Sequence, residues 1–152
     1  MEEKFKETEI RVIYADTDAM GIVYHANYIK WFEVGRNEFL RQLGYTYARM
    51  EEEGIWLPVV SVNVEYKSPG KYDDLLLIRT RLRELKGVSM VMSYEIFRKE
   101  TGELLVTGYT KHGITSPELK PLRLKKEKPE FYAMMKAEEV PQQVKVRAVE
   151  RI

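Results

Sequence analysis

The sequence contains no cysteine. This absence excludes disulfide bonds, a thiolate nucleophile and zinc sites built on thiolates, and it fits a reducing compartment. Only two histidines are present, so imidazole ligands for a metal are also scarce. A chain of 152 residues is long enough for one domain to bury an ordinary hydrophobic core without covalent or metal crosslinks.

The chain also lacks an excess of either charge. Its 25 Lys and Arg residues balance 24 Asp and Glu residues, which gives a formal net charge of +1. Nucleic acids and anionic membrane surfaces attract clustered positive charge, so neither is expected as a partner. There is no run of 18 uncharged apolar residues, and residues 1–9 lack the apolar stretch of a signal peptide. We therefore expect a cytoplasmic protein without integral membrane association.

Two periods of hydrophobicity divide the N-terminal half. Residues 8–15 alternate as in a half-buried strand, whereas residues 28–43 carry apolar side chains at three- and four-residue spacing, which predicts an amphipathic helix. Gly44 is placed to end this helix, and Gly35 on its apolar stripe indicates close packing against a flat sheet. A second short helix is predicted over residues 45–53.

From residue 57 onward the period of two persists through four segments separated by turn residues. We predict strands over 60–66, 75–82, 89–98 and 104–115, then a helix over 129–139. One strand, a long helix and four hairpin-linked strands predict an α+β fold in which an antiparallel sheet wraps around a central helix. Residues 1–140 are expected to form a single domain, and residues 141–152 an extended or poorly ordered tail.

Most residues able to carry chemistry lie between the first strand and the long helix, where residues 16–28 read DTDAMGIVYHANY. A calcium loop would need an oxygen ligand at Met20 and a bidentate glutamate at Asn27, so that interpretation fails twice. A zinc or two-metal site would need more ligands than this segment offers, although His112 could join it from the sheet. We expect no metal.

A purely structural interpretation of this segment is that Asp16 and Asp18 cap a turn while Asn27 caps the helix. One feature favours a functional interpretation. The segment brings a carboxylate next to a helix N-terminus, where unpaired backbone N–H groups and the helix dipole stabilise a developing oxyanion. A carboxylate beside an oxyanion site is suited to acyl transfer.

Two longer motifs contain these residues. Residues 14–40 read YADTDAMGIVYHANYIKWFEVGRNEFL, and residues 64–76 read VEYKSPGKYDDLL. Both resemble the hotdog-fold acyl-CoA thioesterases related to 4-hydroxybenzoyl-CoA thioesterase, and especially the Tol-Pal-associated branch. The resemblance implies the hotdog fold over about residues 4–116. Asp73 departs from the pattern, because relatives commonly have glycine there.

The resemblance also implies roles for site residues. The second aspartate of the family's motif is the acting carboxylate and corresponds to Asp18, which either attacks the thioester carbonyl or deprotonates a water molecule. The backbone N–H that polarises that carbonyl corresponds to His25. Tyr24 and Asn27 are expected to contact the substrate, and Asp16 to shape the loop. No cofactor is expected.

The activity implied is hydrolysis of a short-to-medium or aromatic acyl-CoA to the free acid and CoA. Hotdog subunits pair edge to edge, so a dimer or tetramer is expected, with the site at the interface. The alternative is a non-hydrolytic hotdog scaffold that binds acyl-CoA or acyl carrier protein. A hotdog dehydratase would need a histidine on the central helix, and residues 28–43 contain none. His112 is expected to be a sheet-packing or surface residue rather than a catalyst.

Overall fold

The computed structural model of the protein describes residues 4–141. The N-terminal elements are strand β1 (Lys6–Arg11), a short 3-10 helix (Tyr14–Asp16), helix α1 (Asn27–Gln42) and helix α2 (Tyr47–Glu52). The remaining elements are strands β2 (Val59–Tyr66), β3 (Leu75–Leu85), β4 (Ser89–Arg98) and β5 (Leu104–Gly113), then helices α3 (Leu124–Glu127) and α4 (Pro129–Lys136). Of the tail predicted over residues 141–152, all but residue 141 lies outside the described residues.

The five strands form one antiparallel sheet in the order β1-β3-β4-β5-β2. Short hairpins join β3 to β4 and β4 to β5, so β1 and β2 occupy the two edges. Helix α1 packs on one face of this sheet, which confirms the predicted α+β hotdog arrangement. Within residues 4–141, no helix combines the length and apolarity that a membrane-spanning helix requires.

The core lies between α1 and the sheet. Phe32 on α1 is fully buried and stacks on Tyr94 of β4, with ring centroids 4.4 Å apart and nearly parallel planes. Burying a side chain of this size stabilises the fold by about 2 kcal/mol. Other buried residues of α1 and of the facing strands complete this layer: Tyr28, Trp31, Phe39, Leu40, Leu76, Ile78, Leu82, Met92 and Ile96.

Two glycines let the helix and the sheet approach each other. A Cβ atom on Gly35 of α1 would lie 2.6 Å from Thr80 Oγ1 and 2.9 Å from Ile78 Cγ2, closer than van der Waals contact allows. A Cβ atom on Gly108 of β5 would lie 2.6 Å from Phe32 Cε2. The predicted close packing at Gly35 is therefore confirmed.

The first strand is shorter than predicted. It ends at Arg11 instead of continuing to residue 15, and Tyr14–Asp16 form a 3-10 helix. The Asp16 carboxylate accepts a hydrogen bond from the Ile13 N–H at 3.0 Å, which favours the tight curl over extension. The alternating pattern was misleading because apolar Ile13 and Tyr14 are exposed rather than packed.

Strand β2 is also more exposed than its pattern suggests. Val60 is 63% exposed and Val62 is 40% exposed, although their alternation predicts a buried face. The strand lies at the edge of the sheet, pairs only with β5 within the described chain, and is covered by no helix along most of its length. Its apolar side chains therefore form a surface patch.

A directional chain of hydrogen bonds crosses the buried layer. His112 Nδ1 lies 3.1 Å from the Leu57 carbonyl oxygen, which can only accept, so Nδ1 carries the proton and Nε2 accepts from Thr110 Oγ1 at 2.8 Å. Thr110 in turn bonds the Tyr94 hydroxyl at 2.7 Å, and Arg36 Nη1 donates to that hydroxyl at 3.3 Å. His112 is fully buried and packs within the sheet, as predicted.

The Gly35 contact predicts a loss of stability on adding one methyl group. In an exposed helix Gly→Ala would stabilise by about 1 kcal/mol, but at this position the overlap with Thr80 and Ile78 costs about 1–3 kcal/mol. We expect Gly35→Ala to lower the free energy of unfolding by denaturant. Gly87→Ala, where a Cβ meets nothing within 4 Å, is the control and should change it by less than about 0.5 kcal/mol. A Gly35→Ala variant as stable as Gly87→Ala would contradict this packing.

The buried histidine predicts a pH dependence of stability. Burial, with a contribution from the nearby Arg36 charge, lowers the pKa of His112 from 6.5 to about 4, against the opposing effect of the Leu57 hydrogen bond. Between these two pH values the unfolded chain binds a proton at this residue and the folded chain does not. The free energy of unfolding should therefore fall by about 3 kcal/mol from this residue as the pH decreases from 6.5 to 4.

The comparison variant for this pH dependence is His112→Gln, which removes the titrating group. Unfolding at a series of pH values should give a flatter profile for the variant than for the wild type between pH 6.5 and 4. Parallel profiles would show that His112 does not titrate in this window.

Candidate active site

The segment between the 3-10 helix and α1 folds back on itself as a tight turn. The Asp18 N–H donates to the Ile22 carbonyl at 2.8 Å, and the Gly21 N–H donates to the Asp18 carbonyl at 2.9 Å. Gly21 has φ +83°, in the left-handed region that favours glycine. A bridge between Thr17 and Val23 closes the base of the turn. The backbone around Asp18 is thereby fixed.

The Asp18 side chain is half-buried and only partly engaged. Its Oδ1 accepts the Met20 N–H at 2.8 Å. No donor within residues 4–141 bonds its Oδ2. One carboxylate oxygen is thus oriented by the loop, and the other is available to a substrate or a water molecule.

His25 lies just before α1, which has Ala26 at its N-cap and no side-chain cap. No described atom accepts a hydrogen bond from the His25 N–H, so this donor is free at the positive end of the helix. The Tyr66 hydroxyl donates to the His25 carbonyl at 3.0 Å, and the Tyr24 ring packs against the His25 ring at 4.7 Å. The His25 side chain itself is exposed.

Asp16 and Asn27 tie the loop to the helix. Asn27 is the first residue of α1, and its Nδ2 donates to the Asp16 carbonyl at 2.8 Å, so it does not cap the helix as the structural interpretation required. The buried Asp16 carboxylate lies 3.4 Å from Lys30 Nζ. Asp16 therefore shapes the loop. The Asn27 amide keeps its Oδ1 acceptor and its second N–H without a partner within residues 4–141.

The second motif packs directly against the first. The Gly70 carbonyl accepts the Val23 N–H at 2.9 Å, and Lys71 bridges to Ile22. The Gly70 N–H donates to the Tyr28 hydroxyl at 3.0 Å, and burial raises the pKa of this hydroxyl. The sequence analysis identified both motifs but did not predict that they contact each other. The available signal was that both motifs belong to the same family pattern.

The backbone conformation at Asp73 explains why an aspartate is tolerated where relatives commonly have glycine. Asp73 has φ +70°, a conformation that glycine adopts without strain and that aspartate tolerates better than most residues. The turn therefore keeps the left-handed backbone that a glycine would favour.

The structure does not bring His112 to this loop. Its hydrogen bonds go to Thr110 and Leu57, not to the segment that carries Asp16, Asp18 and His25. In residues 4–141 no three His, Cys, Asp or Glu side chains are grouped to hold a metal ion. The segment between the 3-10 helix and α1 carries a carboxylate oxygen without a donor and an N–H without an acceptor among the described residues, and two such groups can direct an attack on a carbonyl carbon and stabilise its oxyanion.

Comparison with known proteins identifies the family of the chain. The Thioesterase-like superfamily matches residues 12–147. The YneP protein of Bacillus subtilis is 39% identical over 125 residues, which cover 82% of this chain and 90% of that protein. The acyl-CoA thioesterase YbgC of Haemophilus influenzae is 39% identical over 90 residues, covering 59% and 66% of the two chains.

A solved structure is similar over most of the fold. The DHNA-CoA thioesterase from Staphylococcus aureus superposes with a TM-score of 0.82 at 38% identity, covering 88% of this chain and 89% of that one. The family match, the YneP protein and the Staphylococcus structure each cover more than four fifths of this chain. The chain therefore belongs to the thioesterase-like superfamily, with the hotdog fold, and its enzyme class is that of the thioester hydrolases.

Proposed function

We propose that the protein hydrolyses acyl-CoA thioesters to the free acid and CoA, with Asp18 as nucleophile or general base and the His25 N–H as oxyanion donor. The observation that carries this proposal is the pairing, on one short loop, of a carboxylate oxygen without a donor and an N–H group without an acceptor among the described residues. The names of the similar YbgC and Staphylococcus proteins support the substrate class.

Two routes use the same groups. In the first, an Asp18 oxygen adds to the thioester carbonyl carbon, the C–S bond breaks, CoA leaves as thiolate, and water cleaves the resulting mixed anhydride. In the second, Asp18 takes a proton from water, the hydroxyl adds to the carbonyl carbon, and the C–S bond breaks to release CoA. In both routes negative charge develops on the carbonyl oxygen, where the His25 N–H can stabilise it.

A thioester carbonyl is reactive enough that this mechanism needs neither a metal nor a cofactor. Tyr24 and Asn27, which stand on either side of His25 in the sequence, are the proposed substrate contacts. The substrate class is a short-to-medium or aromatic acyl-CoA, and the CoA thioester in the name of the Staphylococcus aureus DHNA-CoA thioesterase supports a CoA substrate. A cytoplasmic location is part of the same proposal.

The proposal includes a dimer formed through the β2 edge. This edge has one row of backbone N–H and C=O groups without a strand partner in the described chain, and it exposes Val59, Val60 and Val62. Antiparallel pairing with β2 of a second copy would give these backbone groups hydrogen-bond partners and would cover the exposed valines. Because Tyr66 of the same strand bonds His25, the interface would adjoin the site. Two such dimers could join as a tetramer.

Loss of the Asp18 carboxylate should abolish most of the activity. We expect Asp18→Asn to lower the rate of thioester hydrolysis by at least about 100-fold, since it removes the nucleophile or general base but keeps the size of the side chain. The assay follows free thiol released from a panel of acyl-CoAs. Circular dichroism checks that the variant is folded.

Asp73→Asn is the matched control, because it removes an exposed carboxylate from the neighbouring loop and asparagine also tolerates a positive φ. Its activity should stay within about twofold of wild type, as for a surface substitution. Wild-type turnover by Asp18→Asn would refute the mechanism. Tight acyl-CoA binding by the wild type without any free thiol would instead support the non-hydrolytic scaffold.

A charge on the β2 edge should break the proposed dimer. Val60→Lys places an ammonium group where two copies would pair, so we expect monomers in sedimentation velocity together with reduced hydrolysis. Val88→Lys in the β3–β4 hairpin is the control, since Val88 is also exposed but lies away from that edge. A fully active wild-type monomer would rule out the interface.

A further inference from the structure

Arg98, the last residue of β4, contacts both ends of the segment that packs against the Asp18 loop. Its Nη2 donates to the Pro69 carbonyl at 2.8 Å, and its Nε donates to Asp74 Oδ2 at 3.0 Å. Its Nη1 donates to Glu103, which also accepts from Ser68 Oγ at 2.7 Å. The Arg98 and Asp74 side chains are 14% and 19% exposed, so water screens this ion pair less than it screens the more exposed pair with Glu103.

The segment held by Arg98 has its own internal bonds. Asp74 Oδ2 also accepts the Lys71 N–H at 2.9 Å, so one carboxylate oxygen joins the guanidinium to the loop backbone. The Asp74 N–H donates to the Lys71 carbonyl at 3.1 Å. Residues 69–74 therefore form a compact turn. Backbone bonds with Val12 and the Tyr28 hydroxyl also hold it, and Arg98 is the side chain that joins its two ends.

From this turn, backbone hydrogen bonds lead to Asp18 in two steps. The Gly70 carbonyl accepts the Val23 N–H at 2.9 Å, and Lys71 bridges to Ile22. The Ile22 carbonyl then accepts the Asp18 N–H at 2.8 Å. A displacement of residues 69–71 would thus move the strand-like residues 22–23 and, with them, the backbone of Asp18.

We propose that Arg98 is a positioning residue, which holds the Asp18 carboxylate in its attacking geometry through residues 69–74. The inference rests on the proposed function of Asp18. Arg98 acts on the orientation of a reacting group, so its loss affects the chemical step more than substrate binding. A misplacement of about 1 Å at a reacting atom can cost about 100-fold in rate.

The geometry requires a guanidinium at this position. Three donors in one plane reach Pro69, Asp74 and Glu103, on different sides of the side chain. The single ammonium group of lysine can satisfy part of this set but not all of it. A lysine variant should therefore retain part of the effect, and a neutral glutamine should lose nearly all of it.

The test measures kcat and KM with benzoyl-CoA or hexanoyl-CoA, whichever the wild type hydrolyses faster, well below the unfolding temperature of every variant. We expect Arg98→Gln to lower kcat about 10- to 100-fold while KM changes less than about threefold. Arg98→Lys should fall between Arg98→Gln and the wild type. Where Arg98→Gln does not fold, Arg98→Lys and Asp74→Asn provide the test.

A double-substitution cycle tests whether Arg98 acts through Asp74. Asp74→Asn alone should also lower kcat, and adding it to Arg98→Gln should lower kcat little further, because both changes release the same turn. The control is Arg79→Gln, which breaks a similar ion pair with Glu7 on another part of the sheet and should leave kcat within about twofold. Amide exchange at Asp18 and Val23 should speed up in Arg98→Gln but not in Arg79→Gln.

Wild-type kcat in both Arg98→Gln and Asp74→Asn would overturn the inference, and so would an equal loss of kcat in Arg79→Gln. Asp18→Asn is assayed in parallel. If it hydrolyses thioesters at the wild-type rate, the proposed role of Asp18 fails. If Asp18→Asn is inactive while the Arg98 variants are fully active, only the positioning role fails.

Discussion

The close approach of α1 to the sheet is the constraint on which the rest of this structure depends. At Gly35 and Gly108 there is no room for a side chain, so the helix axis has essentially one position above β3 and β5. That position buries Phe32 against Tyr94 and fixes where the first turn of α1 begins. The free His25 N–H, just before α1, is therefore placed by packing that occurs between one and about two turns further along the helix.

The site is held mainly by backbone contacts. One oxygen of Asp18 is oriented by the Met20 N–H, and its backbone is fixed by Ile22, so the direct contacts of Asp18 within residues 4–141 come from backbone groups rather than from a charged side chain. Such pre-organisation avoids rearrangement during the reaction. In the proposed mechanism a chain with net charge +1 acts on an anionic thioester because the local field at a helix end matters more than the total charge.

Hydrophobic periodicity and turn residues predicted well those helices and strands whose bounds are set by nearby residues. The bounds of β4 agreed with the structure, and α1 differed by one residue at each end, because regular periodicity and a helix-ending glycine mark them. β1 was too long in the prediction because the Asp16 side chain curls the chain. The exposure of β2 was not predicted, because the alternation of apolar and polar residues shows that one face of the strand is apolar but does not show whether another element covers that face.

The residues of the site were identified by a different route. Asp18 and His25 were singled out by a resemblance between motifs, and their spacing alone left a turn-capping interpretation open. The contacts of Arg98 with Pro69 and Asp74 join residues more than twenty positions apart, and no short-range pattern encodes them. The sequence therefore identified the loop, whereas the hydrogen-bond network that holds the loop could be identified only from the three-dimensional structure.

The order of the strands has a consequence for how the chain folds. β3, β4 and β5 are joined by short hairpins and can pair as soon as they are made, but β1 must wait for β3, and β2 for β5. The loop that carries Asp18 follows β1 directly. On the ribosome, the segment with the reacting carboxylate would thus emerge early and reach its final place among the last, after the central hairpins have formed.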